Sequence, residues 1–148
     1  MKNYKIYILL LFLFTGSIVS SCENTPVKKT SSEVLKSKEA QGTPVIRKVD
    51  TKTFKEETED KKVQLVDVRT PREYAQGHIE NAKNINVFDN DFINKMASYK
   101  KDQPIYVYCR SGSRSMRAAA MLKAKGYNVV NLNGGFIGWE RSGFKSVK

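Results

Sequence analysis

Residues 104–115 read PIYVYCRSGSRS. Ile105 to Tyr108 are apolar and β-prone, and Pro104 marks where the run begins. Cys109 then opens a loop of small residues and arginines. From Ser113 to Lys125 the composition turns to alanine and strong helix formers, with Gly126 where a C-terminal cap belongs. This is a strand, a tight loop and a helix, in that order. Such a unit cannot bury both its faces alone, so the rest of the chain must supply a sheet and a second layer.

Working outward, the same alternation recurs. Tyr127 to Leu132 reads as a strand, followed by a turn at Asn133-Gly134-Gly135. Upstream, Val45 to Val49 is a short possible strand, and Asp50 or Thr51 is placed to cap the amphipathic stretch behind it. Lys62 to Arg69 holds Val63, Leu65, Val66 and Val68, a β-branched run of the kind that fills a buried strand. Thr70-Pro71 breaks it, and Arg72 to Gln76 makes about one helical turn before Gly77. Ile85 to Val87 is a further apolar run, and Phe92, Ile93, Met96 and Tyr99 recur at helical spacing. The expected class is α/β: one domain with an open, mostly parallel sheet of four or five strands and helices on both faces.

The loop has chemistry of its own. A helix begins with amides that have no intrahelical partners, and its dipole adds positive potential there. Gly112 permits close backbone approach, and Ser111, Ser113 and Ser115 add hydroxyls without bulk. Either Ser113 or Ser115 is suited to cap the helix. Cys109 at the mouth of this cradle, with Arg110 and Arg114 adding charge, is a thiol poised to ionise below its usual range. Cysteine phosphatases place five residues between cysteine and arginine to wrap a tetrahedral phosphate. Here four separate Cys109 from Arg114, which tightens the cradle around the sulfur itself.

Composition bounds the remaining options. The chain has 148 residues, a formal charge of +11 and 40% hydrophobic residues, enough for one core and some extra. The charge is scattered in short pairs such as Lys61-Lys62 and Lys100-Lys101, with no basic stripe interleaved with aromatics. Nucleic acid is therefore not an expected partner, whereas small anions are.

The N-terminus reads as a processing signal. Lys2 and Lys5 precede an unbroken apolar run from Ile6 to Phe14, then Ser20-Ser21-Cys22. Val19-Ser20-Ser21-Cys22 resembles a bacterial lipobox. The resemblance implies cleavage before Cys22, lipidation of that cysteine and an extracytoplasmic domain anchored to a bacterial membrane. The expected organisation is a signal peptide at 1–21, a polar tether at 22–44 and a folded domain at 45–148. With Cys22 consumed, Cys109 is the mature chain's one thiol.

Three motifs in order resemble the rhodanese family. Asp67-Val68-Arg69 with Arg72-Glu73-Tyr74, Gly77-His78-Ile79, Ala82 and Asn84-Ile85 is similar to the family's N-terminal signature. Residues 109–115 look like its active-site loop. Leu132-Asn133-Gly134-Gly135-Phe136 with Gly138-Trp139 is similar to its C-terminal one. Glu80-Asn81 stands where the family often has Pro-Gly, and asparagine tolerates the same left-handed turn.

This resemblance implies sulfane-sulfur transfer from a small anionic donor such as thiosulfate to a thiol or protein acceptor, through a persulfide on Cys109. Arg114 is expected to hold the donor's sulfonate and Arg110 to assist at the rim, with Ser111, Gly112, Ser113 and Ser115 completing the donor site. Neither metal nor organic cofactor is implied, and a monomer is expected. A non-enzymatic persulfide carrier docking a partner is the alternative, followed by a phosphatase- or arsenate-reductase-like activity. Asp67 is expected to pair with Arg69 or a loop arginine in support. His78 is expected to be a core or turn residue bonded to backbone, Trp139 a core anchor and Arg117 a surface residue, while Arg72 suits either the surface or the site.

Overall fold

A computed structural model describes residues 42–148; the expected signal peptide, Cys22 and most of the tether lie outside the described residues. Five strands, β1 (Ile46–Val49), β2 (Gln64–Asp67), β3 (Lys83–Asn84), β4 (Ile105–Tyr108) and β5 (Val129–Leu132), form one sheet in the order β1-β5-β4-β2-β3. Every pairing is parallel. Five helices connect and cover them: α1 (Thr51–Thr58), α2 (Pro71–Gln76), α3 (Phe92–Met96), α4 (Ser113–Ala124) and α5 (Gly135–Arg141). The expected α/β sheet is present, with helices on both faces.

Strand alternation divides the core in two. Val66, Ile105, Val107 and Val129 face α3 and α4, packing on Phe92, Met96, Ala118, Ala119 and Leu122. Leu65, Tyr106, Tyr108, Val130 and Leu132 face the other way onto Phe54, Phe136 and Trp139. Central β4 is buried at every position because both faces are covered. Cys109 leaves its carboxyl end, where ligands bind in open parallel sheets.

Local chemistry explains most boundaries. Asp50 caps α1 by accepting the Thr53 amide at 2.8 Å. Thr70 and Glu73 form a reciprocal capping box around α2, with Pro71 in its first turn. Asn81 adopts the left-handed turn at φ 65°.

Three readings need correction. Ile85 to Val87 lies beyond the two-residue β3, yet its amides extend the ladder, with Ile85 donating to Asp67 and Val87 to Val68. Neither Ser113 nor Ser115 caps α4: Gly112 is the cap, at φ 102°, and no side-chain hydrogen bond closes that end. Helix α5 was not anticipated, since Gly135 and Gly138 disguise a segment whose Phe136 and Trp139 are both buried.

Candidate active site

The segment from Cys109 to Ser115 passes from the end of β4 into the first turn of α4. Cys109 is only 1% exposed, with Sγ at the floor of the cradle. The Gly112 amide donates to Sγ at 3.1 Å. Ser115 Oγ lies 3.6 Å from Sγ and 3.1 Å from the Gly112 carbonyl, so its hydroxyl serves either acceptor. Burial pushes the Cys109 thiol up, but hydrogen bonds from the Ser115 hydroxyl and from the Ser115, Gly112 and Ser111 amides outweigh it. The thiol therefore ionises below its ordinary range.

The carbonyls of Cys109 and Arg110 are satisfied by a second helix. Phe136, in the first turn of α5, donates its amide to the Cys109 carbonyl at 2.8 Å, and Ile137 donates to the Arg110 carbonyl at 3.0 Å. Gly135 makes this docking possible. A Cβ there would stand 2.5 Å from the Cys109 carbonyl oxygen and 2.7 Å from Arg110 backbone atoms.

The two loop arginines are placed differently. Arg110 is exposed and borders a cavity of about 230 Å³ between α2 and α5, lined also by Arg69, Glu73, Gly77, Phe136 and Glu140. Arg114 is committed within the protein: its Nη1 and Nη2 donate to Glu73 Oε2 and Oε1 at 2.7 and 2.6 Å. Its guanidinium also lies 5.9 Å from the ring of exposed Phe88. The hydrogen bond to Glu73 raises the Arg114 pKa, with the nearby Cys109 adding to the rise. Reciprocally, Arg114 and then Thr70 hold the Glu73 carboxyl down to about 2.

Ser111 and Ser113 are exposed at the rim. Asp67 and Arg69 pair with one another, both buried, at 2.6 Å. Arg69 also donates to the Gly77 carbonyl at 2.6 Å, and its guanidinium lies 4.2 Å from the Phe136 ring. The pair thus braces the end of β2 against α2 and α5 and makes no contact with Sγ. His78 lies against Tyr74, with Nδ1 3.1 Å from the Tyr74 carbonyl, which is a turn role. Trp139 is a buried anchor donating to the Lys145 carbonyl, and Arg72 and Arg117 are exposed.

Sequence reasoning missed two residues here. Glu73 was signalled by the Thr-x-x-Glu capping box, though nothing local marks its pairing with Arg114, forty-one positions away. Gly135 was signalled by the Gly-Gly turn, where neither the turn nor the C-terminal signature pointed to its contact with the cysteine loop.

Comparison with known proteins agrees with this fold. The family model for the rhodanese-like domain matches residues 50–142. A sulfurtransferase of Allochromatium vinosum is 39% identical over 107 residues, covering 70% of this chain and 96% of that protein. A thiosulfate sulfurtransferase of Shewanella oneidensis is 35% identical over 86 residues, covering 57% of this chain and 83% of that protein. A rhodanese-like domain protein of Staphylococcus aureus superposes with a TM-score of 0.57 at 36% identity, covering 63% of this chain and 90% of that one. A parallel sheet with a cysteine cradle at its carboxyl edge, matched by relatives of this kind, makes the chain a member of the rhodanese-like family of sulfurtransferases.

Proposed function

We propose that the domain moves sulfane sulfur through a covalent persulfide on Cys109. The observation that carries this reading is the set of donors converging on one buried sulfur: the Gly112 amide at 3.1 Å and the Ser115 hydroxyl at 3.6 Å. A thiolate held this way is a nucleophile, and the same donors suit the anionic persulfide that follows it. With thiosulfate as donor, the Cys109 thiolate attacks the outer sulfur. The donor's S–S bond breaks, its electron pair leaves with sulfite, and a new S–S bond forms on Sγ. A thiophilic acceptor, cyanide in an assay or a thiol, then attacks the outer sulfur and returns Cys109 as thiolate.

The assay is thiosulfate-dependent thiocyanate formation, together with the mass of the Cys109 peptide after exposure to donor. Wild type gains one sulfur atom on Cys109 and turns over, whereas Cys109→Ser does neither. Equal activity in the two proteins refutes the reading.

We propose that Cys22 is lipidated and that the polar segment 22–44 tethers the domain to a bacterial membrane outside the cytoplasm. Metabolic labelling with palmitate is expected in wild type and lost in Cys22→Ala. Unchanged labelling in that variant removes Cys22 as the acceptor.

A further inference from the structure

Arg114, the arginine expected to receive a donor's sulfonate, already holds an anion. Arg114 offers two parallel N–H groups to Glu73, the geometry that guanidinium uses to bind carboxylates and oxyanions. Glu73 is fixed independently of Arg114. Its Oε2 also accepts from the Thr70 amide at 3.1 Å and from the Thr70 hydroxyl at 2.8 Å. Both partners are less than a quarter exposed, so solvent does little to screen them.

Resting on the persulfide chemistry above, we infer that Glu73 is a specificity-determining residue. It is a resident competitor that disfavours donors ending in a free sulfonate and favours donors whose outgoing group is a thiolate. Thiosulfate brings a dianion to a position already faced by a carboxylate, and its sulfonate must displace that carboxylate to reach the Arg114 fork. A persulfide R–S–SH makes no such demand. The Cys109 thiolate attacks its outer sulfur, the donor's S–S bond breaks, the electron pair leaves on RS⁻, and that one sulfur stays on Cys109 as Sγ–SH. Only the loop amides need face the reacting sulfurs, and Glu73 stays on Arg114.

Glu73→Gln is the informative variant, because glutamine keeps the capping box with Thr70 while removing the charge. A like charge removed from beside a dianion is expected to lower KM for thiosulfate about tenfold, with kcat held within about twofold. For cysteine persulfide as donor, kcat/KM is expected to stay within about twofold of wild type. With its carboxylate partner neutralised, Arg114 favours the Cys109 thiolate more strongly, so the pH midpoint of Cys109 alkylation falls.

Thiosulfate binding is measured separately by calorimetry in a Cys109→Ser background, where no turnover occurs. Addition of Glu73→Gln is expected to tighten it about tenfold. Tighter binding without turnover in the Cys109-containing protein upholds the role of Glu73 and refutes the persulfide reading. Unchanged or weaker binding overturns the role of Glu73 whatever the turnover. A parallel fall in kcat for both donors makes Glu73 a mere strut for Arg114 and likewise overturns it. Glu73→Ala removes the carboxylate without supplying a new acceptor, and both constants move the same way as in Glu73→Gln.

Discussion

Adding one methyl group at Gly135 should damage the site more than its size suggests. Gly135 sits at φ +59°, where a side chain costs about 1–2 kcal/mol. Its new Cβ would lie 2.5 Å from the Cys109 carbonyl oxygen and 2.7 Å from the Arg110 carbonyl carbon and oxygen, all backbone atoms. Ordinary contact needs about 3.5 Å, so the loop and the start of α5 must separate by about 1 Å. That separation stretches the two amide bonds that dock α5, from Phe136 to Cys109 at 2.8 Å and from Ile137 to Arg110 at 3.0 Å. At about 0.5–1.5 kcal/mol each, their loss brings the total to about 2–5 kcal/mol.

Gly134→Ala provides the comparison. Gly134 has φ +82°, but its added Cβ meets only Gly138 Cα, at 3.7 Å. It should cost the conformational term of about 1–2 kcal/mol and little else. Thermal denaturation and thiocyanate formation are measured on both variants. Because about 1 Å of misplacement at a reacting group is enough for about a hundredfold loss, Gly135→Ala should lose about that much kcat while folded. If Gly135→Ala matches Gly134→Ala in both stability and rate, the docking of α5 does not position the cysteine.

Three further perturbations probe other parts of the site. Asp67→Ala leaves the Arg69 guanidinium buried without its counter-ion and should cost about 3–5 kcal/mol, read as a lowered midpoint in urea; a change below about 1 kcal/mol contradicts its bracing role. Cys109 alkylation, followed by mass spectrometry of its own peptide, should rise with pH to a plateau reached below the range of a free thiol, since the folded pKa is lowered. The linked stability is fully present above the unfolded thiol's pKa and is lost as pH falls through the folded value. Ser115→Ala removes a donor to Sγ and should shift both curves to higher pH; an unmoved midpoint shows that the hydroxyl spends its proton on the Gly112 carbonyl.

What the sequence revealed depended on how local each signal was. The run Ile105 to Tyr108 and the helix from Ser113 were legible because strand burial and helix propensity are written in adjacent residues. Cys109 was legible because a strand-loop-helix junction defines an anion site without reference to the rest of the chain. Pairing across the fold was harder to read. Asp67 and Arg69 stand two positions apart, and their ion pair was foreseen as one of two options. Glu73 and Arg114 are forty-one positions apart, and each had a satisfactory local role, as helix cap and loop cation, that concealed the other. The Ser113 and Ser115 capping expectation failed for a related reason. Gly112 at φ 102° turns the chain into α4 without a side-chain cap, and Ser115 is drawn inward to the sulfur.

The loop's shortness acquires its meaning from α5, the element least visible in the sequence. A loop of six residues from Cys109 to Arg114 cannot direct both its amides and its carbonyls at one centre. For the amides to converge on an anionic sulfur, the carbonyls of Cys109 and Arg110 must face outward into the protein, where unpaired acceptors are costly. The first amides of α5 need acceptors for the same reason that any helix start does. Docking the start of α5 on the loop satisfies both sets of groups, and only a residue without Cβ at position 135 permits the approach. The thiolate's positive surroundings thus depend on a second helix as much as on α4. A substitution that leaves every residue from 109 to 115 intact can therefore still disable the cysteine.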